Sequence, residues 1–257
     1  MTSYEGFEIK DVVHRGARST VLRAVRRADD QPVVLKHPTT DVPSASTLRR
    51  LRYELDVGAR LGARSGLPYL GEHRFGTSAA IVMEDLGAVD LERRYGGARM
   101  PLREWLVLAR KIALALADLH ALGFVHGDVK PANVLTTVYD RVVLCDFGNS
   151  LTLGASRRFA SLGGTLAYIP PEQTGRTDRD LDHRADLYTL GATLFQLLVG
   201  RLPFDYDDPL ALLHAHLARK PPLASALASN VPAPVDALLD RLLAKDPRDR
   251  YQSAEGV

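Results

Sequence analysis

The sequence predicts an α+β chain in two lobes, and three observations carry that prediction. Alternating and β-branched runs crowd the chain up to Asp85. From Pro101 onward the texture changes to long helical runs rich in Leu and Ala. The length of 257 residues corresponds to about 1.7 average domains, so one large domain or two tightly joined lobes. Hydrophobic residues make up 46% and charged residues 25%, which excludes a disordered chain.

Taken in order, Phe7-Glu8-Ile9 and Val12-Val13 are strand-like and precede Gly16. Thr20 to Val25 alternates and is β-branched, and Gln31-Pro32 marks a turn before the apolar strand Val33-Val34-Leu35. Ser46 to Leu61 carries Leu48, Leu51, Leu55 and Leu61 at helical spacing, with Gly62 as its stop. Ala79 to Met83 is a short apolar strand. Leu102 to Leu122 reads as a helix stopped by Gly123, and Val142-Val143-Leu144 as a strand leading into Asp146. Asp186 to Val199 is apolar almost all round, the mark of a helix buried in a large core. Val235 to Ala244 is a last amphipathic helix. No repeat, low-complexity tract or long linker interrupts this order.

The composition also removes function classes. Thirty-three basic against thirty-one acidic side chains leave +2, too weak a bias to mark a nucleic-acid or membrane-surface binder. A single cysteine excludes an internal disulfide framework and any multi-cysteine metal site. The apolar run Leu187 to Val199 is shorter than the roughly 20 residues that a membrane helix needs. The N-terminus has no basic-then-apolar leader, so a cytoplasmic protein is expected.

The densest chemical signal is His126-Gly127-Asp128-Val129-Lys130-Pro131-Ala132-Asn133, followed by Asp146-Phe147-Gly148. Phosphoryl transfer needs a carboxylate to orient the acceptor hydroxyl, ligands for Mg²⁺ on the phosphates, and a cation to offset charge. Asp128 suits the first role, Asn133 and Asp146 the second, and Lys130 or Lys36 the third. One amide oxygen plus one carboxylate is a suitable set for Mg²⁺, a hard ion that takes few protein ligands.

These residues resemble the catalytic and metal-binding loops of eukaryotic-type protein kinases. Further marks fall in the family's order. Val33-Val34-Leu35-Lys36 resembles the strand whose lysine holds the α- and β-phosphates, and Glu54 stands where the family has that lysine's partner. Ile81 to Leu86 resembles the strand and hinge that receive adenine, with Met83 as gatekeeper and Asp90 near the ribose. Gly164-Thr165-Leu166-Ala167-Tyr168-Ile169-Pro170-Pro171-Glu172 resembles the end of the activation segment. Asp186 matches the buried aspartate that begins the central helix, and Arg250 the arginine that pairs with Glu172.

The resemblance implies a protein-kinase-like bilobal fold over 1–257. It has a small N-lobe of antiparallel β-sheet plus one helix (1–85), a hinge (84–90) and a larger, mainly helical C-lobe (91–257). It implies ATP and Mg²⁺, bound between the lobes with Gly16, Val21, Lys36, Glu54, Met83, Glu84, Leu86 and Asp90 at the nucleotide. Lys130 and Thr165 are what the Ser/Thr branch carries, so a protein Ser/Thr hydroxyl is the implied acceptor. Thr165 would orient Lys130 and Asp128. A narrower resemblance rests on Pro171 to Arg176, Leu181 to Arg184 and Arg250 to Gly256. These runs are similar to the kinase module of large bacterial signalling proteins in which ATPase, sensory and histidine kinase domains follow. An isolated module, a truncated chain and a fragment of a longer protein all stay open.

Four departures qualify the resemblance. Of the three glycine positions in the nucleotide loop, His14, Gly16 and Ser19, only Gly16 is glycine. Gly127 replaces an arginine that clamps a phosphate in the family, so activity independent of phosphorylation is expected although Ser150, Thr152, Ser156 and Ser161 are available. Gly58, four residues after Glu54, is expected to leave a gap beneath Phe147 and to loosen the Lys36–Glu54 pair. Cys145 is expected to be a small buried apolar residue beside Asp146. Two other readings compete with an active kinase. One is a pseudokinase that binds nucleotide or scaffolds partners. The other is a small-molecule phosphotransferase of the aminoglycoside type, which shares His-Gly-Asp and the following Asn.

Overall fold

The alternating runs at the start of the chain form an antiparallel sheet, in a computed structural model that describes residues 4–153, 165–176 and 180–257. Its strands are β1 (Phe7–Arg15), β2 (Ser19–Arg26), β3 (Gln31–Pro38), β4 (Tyr69–Phe75) and β5 (Ser78–Glu84), in the order β1-β2-β3-β5-β4. The chain divides into two compact units, the first being residues up to Ala88 together with Cys145–Gly148. Antiparallel partners point to the same face of a sheet. Val21 is paired with Lys36, and Val34 with Met83, so these four share one face. The intervening residues Leu22, Ala24, Val33, Leu35, Ala80 and Val82 point the other way and join Phe7 in a buried cluster. Each Val, Leu and Phe side chain among them contributes roughly 1.5–3 kcal/mol when fully buried.

Between β3 and β4 in sequence lies α1 (Ala45–Ser65). Ser44 caps it by accepting a hydrogen bond from the Thr47 N–H at 3.2 Å. Leu51, Glu54, Gly58 and Leu61 are buried at helical spacing, so a carboxylate and a glycine sit in the inward stripe. Gly62, where a stop was expected, has φ +66° and kinks the helix before its last turn. β4 carries no clean alternation, which is why the sequence pattern passed over it.

The second unit comprises Val89–Leu144 and Asn149–Val257. It contains β6 (Val89–Asp90), α2 (Leu91–Tyr95), α3 (Leu102–Ala121), β7 (Phe124–Val125), β8 (Val134–Thr136), β9 (Val142–Leu144) and β10 (Leu151–Thr152). Then come α4 (Arg184–Val199), α5 (Pro209–Ala218) and α6 (Ala233–Leu242). The short strands pair as β6-β8-β9 and β10-β7. α4 is buried on every side, as its apolar sequence requires, and the Trp105 indole N–H of α3 donates to the Leu194 carbonyl at 2.7 Å. α2 and α5 were not expected. α5 nevertheless carries a start signal, Asp208 before Pro209, and the Asp208 carboxylate accepts from the Leu210 and Ala211 N–H groups. No helix among the described residues is long and apolar enough to cross a membrane.

Candidate active site

In the first unit the site begins with Lys36. Register places its side chain on the sheet face shared with Val21, and α1 brings Glu54 to it. The ammonium has three N–H bonds, and three carboxylate oxygens receive them: Glu54 Oε1 at 2.7 Å, Glu54 Oε2 at 2.8 Å and Asp146 Oδ1 at 2.8 Å. Burial alone would lower the Lys36 pKa, but the Glu54 and Asp146 carboxylates outweigh it and hold the amine above its ordinary range. Asp146 has a left-handed backbone, φ +63°, which projects its carboxylate while Phe147 is fully buried.

The expected gap at Gly58 is absent. The ring of Tyr69, at the start of β4, occupies it: a Cβ on Gly58 would lie 2.2 Å from Tyr69 Cε2. The Tyr69 ring centroid is 6.3 Å from that of Phe147. The Lys36–Glu54 pair is formed in this arrangement. Cys145 is half-buried rather than buried.

The β1–β2 turn closes with one glycine. The Gly16 N–H donates to the Ser19 carbonyl at 2.9 Å, and Thr39 Oγ1 donates to the Gly16 carbonyl at 3.0 Å. His14 is paired with Val21, so it faces the Lys36 side of the sheet. At the other end of this unit Met83 is buried, while Glu84 and Leu86 are half-buried. The loop after β5 is pinned by Arg23, 3.0 Å from the Asp85 carboxylate, and by the Gly87 N–H on Asp85 Oδ1.

In the second unit Asp128 is 5% exposed and held from several directions. Lys130 Nζ donates to Asp128 Oδ2 at 2.8 Å and to Thr165 Oγ1 at 2.7 Å. Thr165 N–H reaches Asp128 Oδ1 at 3.3 Å. Asn133 Nδ2 donates to the Asp128 carbonyl at 2.8 Å and to Oδ2 at 3.2 Å, and Asn149 Nδ2 adds a contact at 3.4 Å. Asn149 was not anticipated, since a residue three past Asp146 carries no motif of its own. The loop is anchored from below by Asp186, fully buried at the start of α4. It accepts the backbone N–H groups of His126 at 2.7 Å and Gly127 at 2.8 Å, and it binds His120 Nε2 at 2.9 Å. His126 is therefore held through its backbone, and the His120 contact escaped the sequence reading. Asp90 also lies in this unit, where it caps α2 by accepting from the Arg93 N–H at 2.8 Å.

Glu172 and Arg250 form a bidentate pair at 2.6 and 2.8 Å, both fully buried. Ser150 is buried and donates to the His126 carbonyl, while Thr152 is exposed. Ser156, Ser161 and Gly164 lie outside the described residues.

Of the oxygen donors that a metal could use, the first unit carries the Asp146 carboxylate and the second unit the Asn133 amide. Asn133 commits its nitrogen to Asp128, which fixes the amide so that its oxygen is the other end. Among the described residues no group of three or more His, Cys, Asp or Glu side chains could hold a metal ion. Oxygen donors of this hard kind suit Mg²⁺, which keeps most of its water, better than ions that demand a full protein cage.

Comparison with known proteins gives a family match along most of the chain. The protein kinase domain family matches residues 7–257. Serine/threonine-protein kinase PksC of Streptomyces coelicolor is 35% identical over 266 residues, covering 98% of this chain and 47% of that protein. Serine/threonine-protein kinase PknL of Mycobacterium tuberculosis is 34% identical over 244 residues, 93% of this chain and 60% of PknL. A hybrid signal transduction histidine kinase of Dictyostelium discoideum is 53% identical over 93 residues, 36% of this chain and 3% of that protein. The chain thus spans about half the length of the curated relatives that it matches along most of its residues.

Proposed function

The chain belongs to the protein kinase domain family, in its serine/threonine branch, and we propose that it transfers the γ-phosphate of ATP to a protein Ser or Thr hydroxyl. The observation that carries this reading is the Asp128 carboxylate fixed by Lys130, Asn133 and Thr165. Asp128 accepts the hydrogen bond of the incoming hydroxyl and turns its oxygen toward the γ-phosphorus. As the new O–P bond forms, the bond to the β-phosphate oxygen breaks and the hydroxyl proton passes to Asp128. Lys130 stays beside the transferring group and offsets its charge.

Lys36 holds the α- and β-phosphates. All three of its N–H bonds already have acceptors, so gripping phosphate takes one of them away. The contact given up is the one to Asp146, because Asp146 with Asn133 is the metal-ligand set. Mg²⁺, when bound, neutralises charge on the phosphates. Gly16 and Val21 lie over the nucleotide, Met83, Glu84 and Leu86 receive the adenine, and Asp90 the ribose. Gly127 leaves no guanidinium to clamp a phosphoresidue, so transfer proceeds without prior phosphorylation. A cytoplasmic setting accords with ATP as the donor, and the length of its relatives supports a module of a larger signalling protein.

The test is transfer from labelled ATP with Mg²⁺ to generic protein substrates, beside Asp128→Asn, Asp146→Asn and an aminoglycoside panel. Protein labelling in the wild type and loss of at least 100-fold in both variants is expected. Nucleotide binding without any transfer would instead identify a pseudokinase, and labelled aminoglycoside a small-molecule phosphotransferase.

A further inference from the structure

Tyr69 is large, polar at one end, and placed where the sequence resemblance gave no reason to look. It begins β4 opposite Met83, and a register irregularity follows at once between Tyr69 and Gly71. Such an irregularity re-aims a side chain. Since Met83 is paired with Val34, Tyr69 stands on the sheet face that carries Lys36. From there the ring packs into the inward stripe of α1. A Cβ at Gly58 would come within 2.2, 2.4 and 2.6 Å of three of its atoms, so residue 58 can be only glycine while Tyr69 keeps this position. The same ring lies 6.3 Å from Phe147 at a tilt of 45°.

The phenol itself does no visible bonding. Its oxygen is buried and has no hydrogen-bond partner among the described residues. Burial, with Glu54, Cys145 and Asp146 nearby, pushes its pKa well above the ordinary value, so it stays neutral. What Tyr69 supplies is the volume of its ring, at the junction of Glu54's helix and Asp146's neighbour.

We propose that Tyr69 is a positioning residue for phosphoryl transfer: its ring fills the space left by Gly58, seats Phe147 and thereby holds the adjoining Asp146 carboxylate in place. Gly58 and Tyr69 are then one exchange, a small residue on the helix matched by a large one on the strand. This inference rests on the proposed kinase reading, with Asp146 as a metal ligand.

The experiment compares wild type, Tyr69→Ala, Tyr69→Phe and the double variant Gly58→Leu with Tyr69→Ala. Three quantities are read: the Mg²⁺ concentration for half-maximal transfer, the Mg²⁺ dependence of ATP affinity by calorimetry, and the thermal midpoint. Tyr69→Ala should raise the half-maximal Mg²⁺ concentration at least tenfold. Tyr69→Phe, which keeps the ring, should recover at least tenfold over Tyr69→Ala. The double variant should return to within about threefold of wild type, because a leucine grown from residue 58 occupies the vacated space. A Tyr69→Ala variant with a lowered thermal midpoint but unchanged Mg²⁺ dependence would make the role structural only and overturn the proposal. So would a double variant worse than Tyr69→Ala alone, or one that fails to fold. If wild type transfers nothing, the kinase reading fails by itself, and the calorimetric Mg²⁺ dependence still decides for or against Tyr69.

Discussion

Lys36 shares one ammonium between two carboxylates, and the sharing sets what each change should do. Replacing Glu54 by Gln removes the charge that keeps the amine on the α1 side and leaves Asp146 as its stronger partner. A hydrogen bond to a charged group is worth about 1.5–3 kcal/mol. Glu54→Gln should therefore lower kcat/KM for ATP by roughly 10- to 100-fold, measured by steady-state transfer, with the fold intact by circular dichroism. Tyr69 offers a complementary case. Its hydroxyl is buried without a partner, so Tyr69→Phe should stabilise the protein by about 1 kcal/mol in urea unfolding. Lys36 and Glu54 were legible because their spacing in sequence is characteristic. Tyr69 was not, because its role depends on strand register and on a contact with a glycine in another element.

The loop from β7 to β8 shows how an element can hide its reason in the backbone. In the sequence Gly127 counts as a missing arginine. In the fold it has φ +75°, and a Cβ there would lie 2.8 Å from the Asn149 carbonyl. Left-handed backbone costs a non-glycine residue about 1–2 kcal/mol before any clash. Gly127→Ala should therefore cost about 2 kcal/mol of stability by urea unfolding. Because the Asn149 amide contacts Asp128, it should also lower kcat more than it changes KM for ATP. Equal stability in the variant and wild type would show that the loop relaxes freely. Long periodic elements such as α3 and α4 were readable from sequence alone. The five-residue α2 and the polar edge strand β4 were not, since tertiary pairing rather than pattern defines them.

At the scale of the whole molecule, family membership and the Glu172–Arg250 pair were visible from the ordered motifs, whereas the rest of the charge network that supports the second unit was not. That network runs from the Glu172–Arg250 pair through the Tyr188 ring, 4.9 Å beneath the Arg250 guanidinium, to Lys245 and His216. Arg250→Met would leave Glu172 buried without its partner and should cost about 3–5 kcal/mol. His216 gives the network a pH dependence whose sign follows from linkage. Burial first, and Lys245 second, lower its pKa from an ordinary 6.5 to about 4. Between those values the unfolded chain binds a proton that the folded chain refuses, so stability falls as pH drops through that window. The full loss is about 3 kcal/mol at 1.36 kcal/mol per pKa unit. Lys245 is lowered to about 8, so its contribution changes only between that value and 10.5 and is constant over the acid window. His37, also lowered by burial, acts in the same direction as His216. Urea unfolding at pH 7.5, 6.0, 5.0 and 4.5 should therefore show a steep acid limb in the wild type, flattened but not abolished in His216→Phe. Parallel limbs in the two proteins would mean that His216 takes up its proton at the same pH in the folded and the unfolded chain.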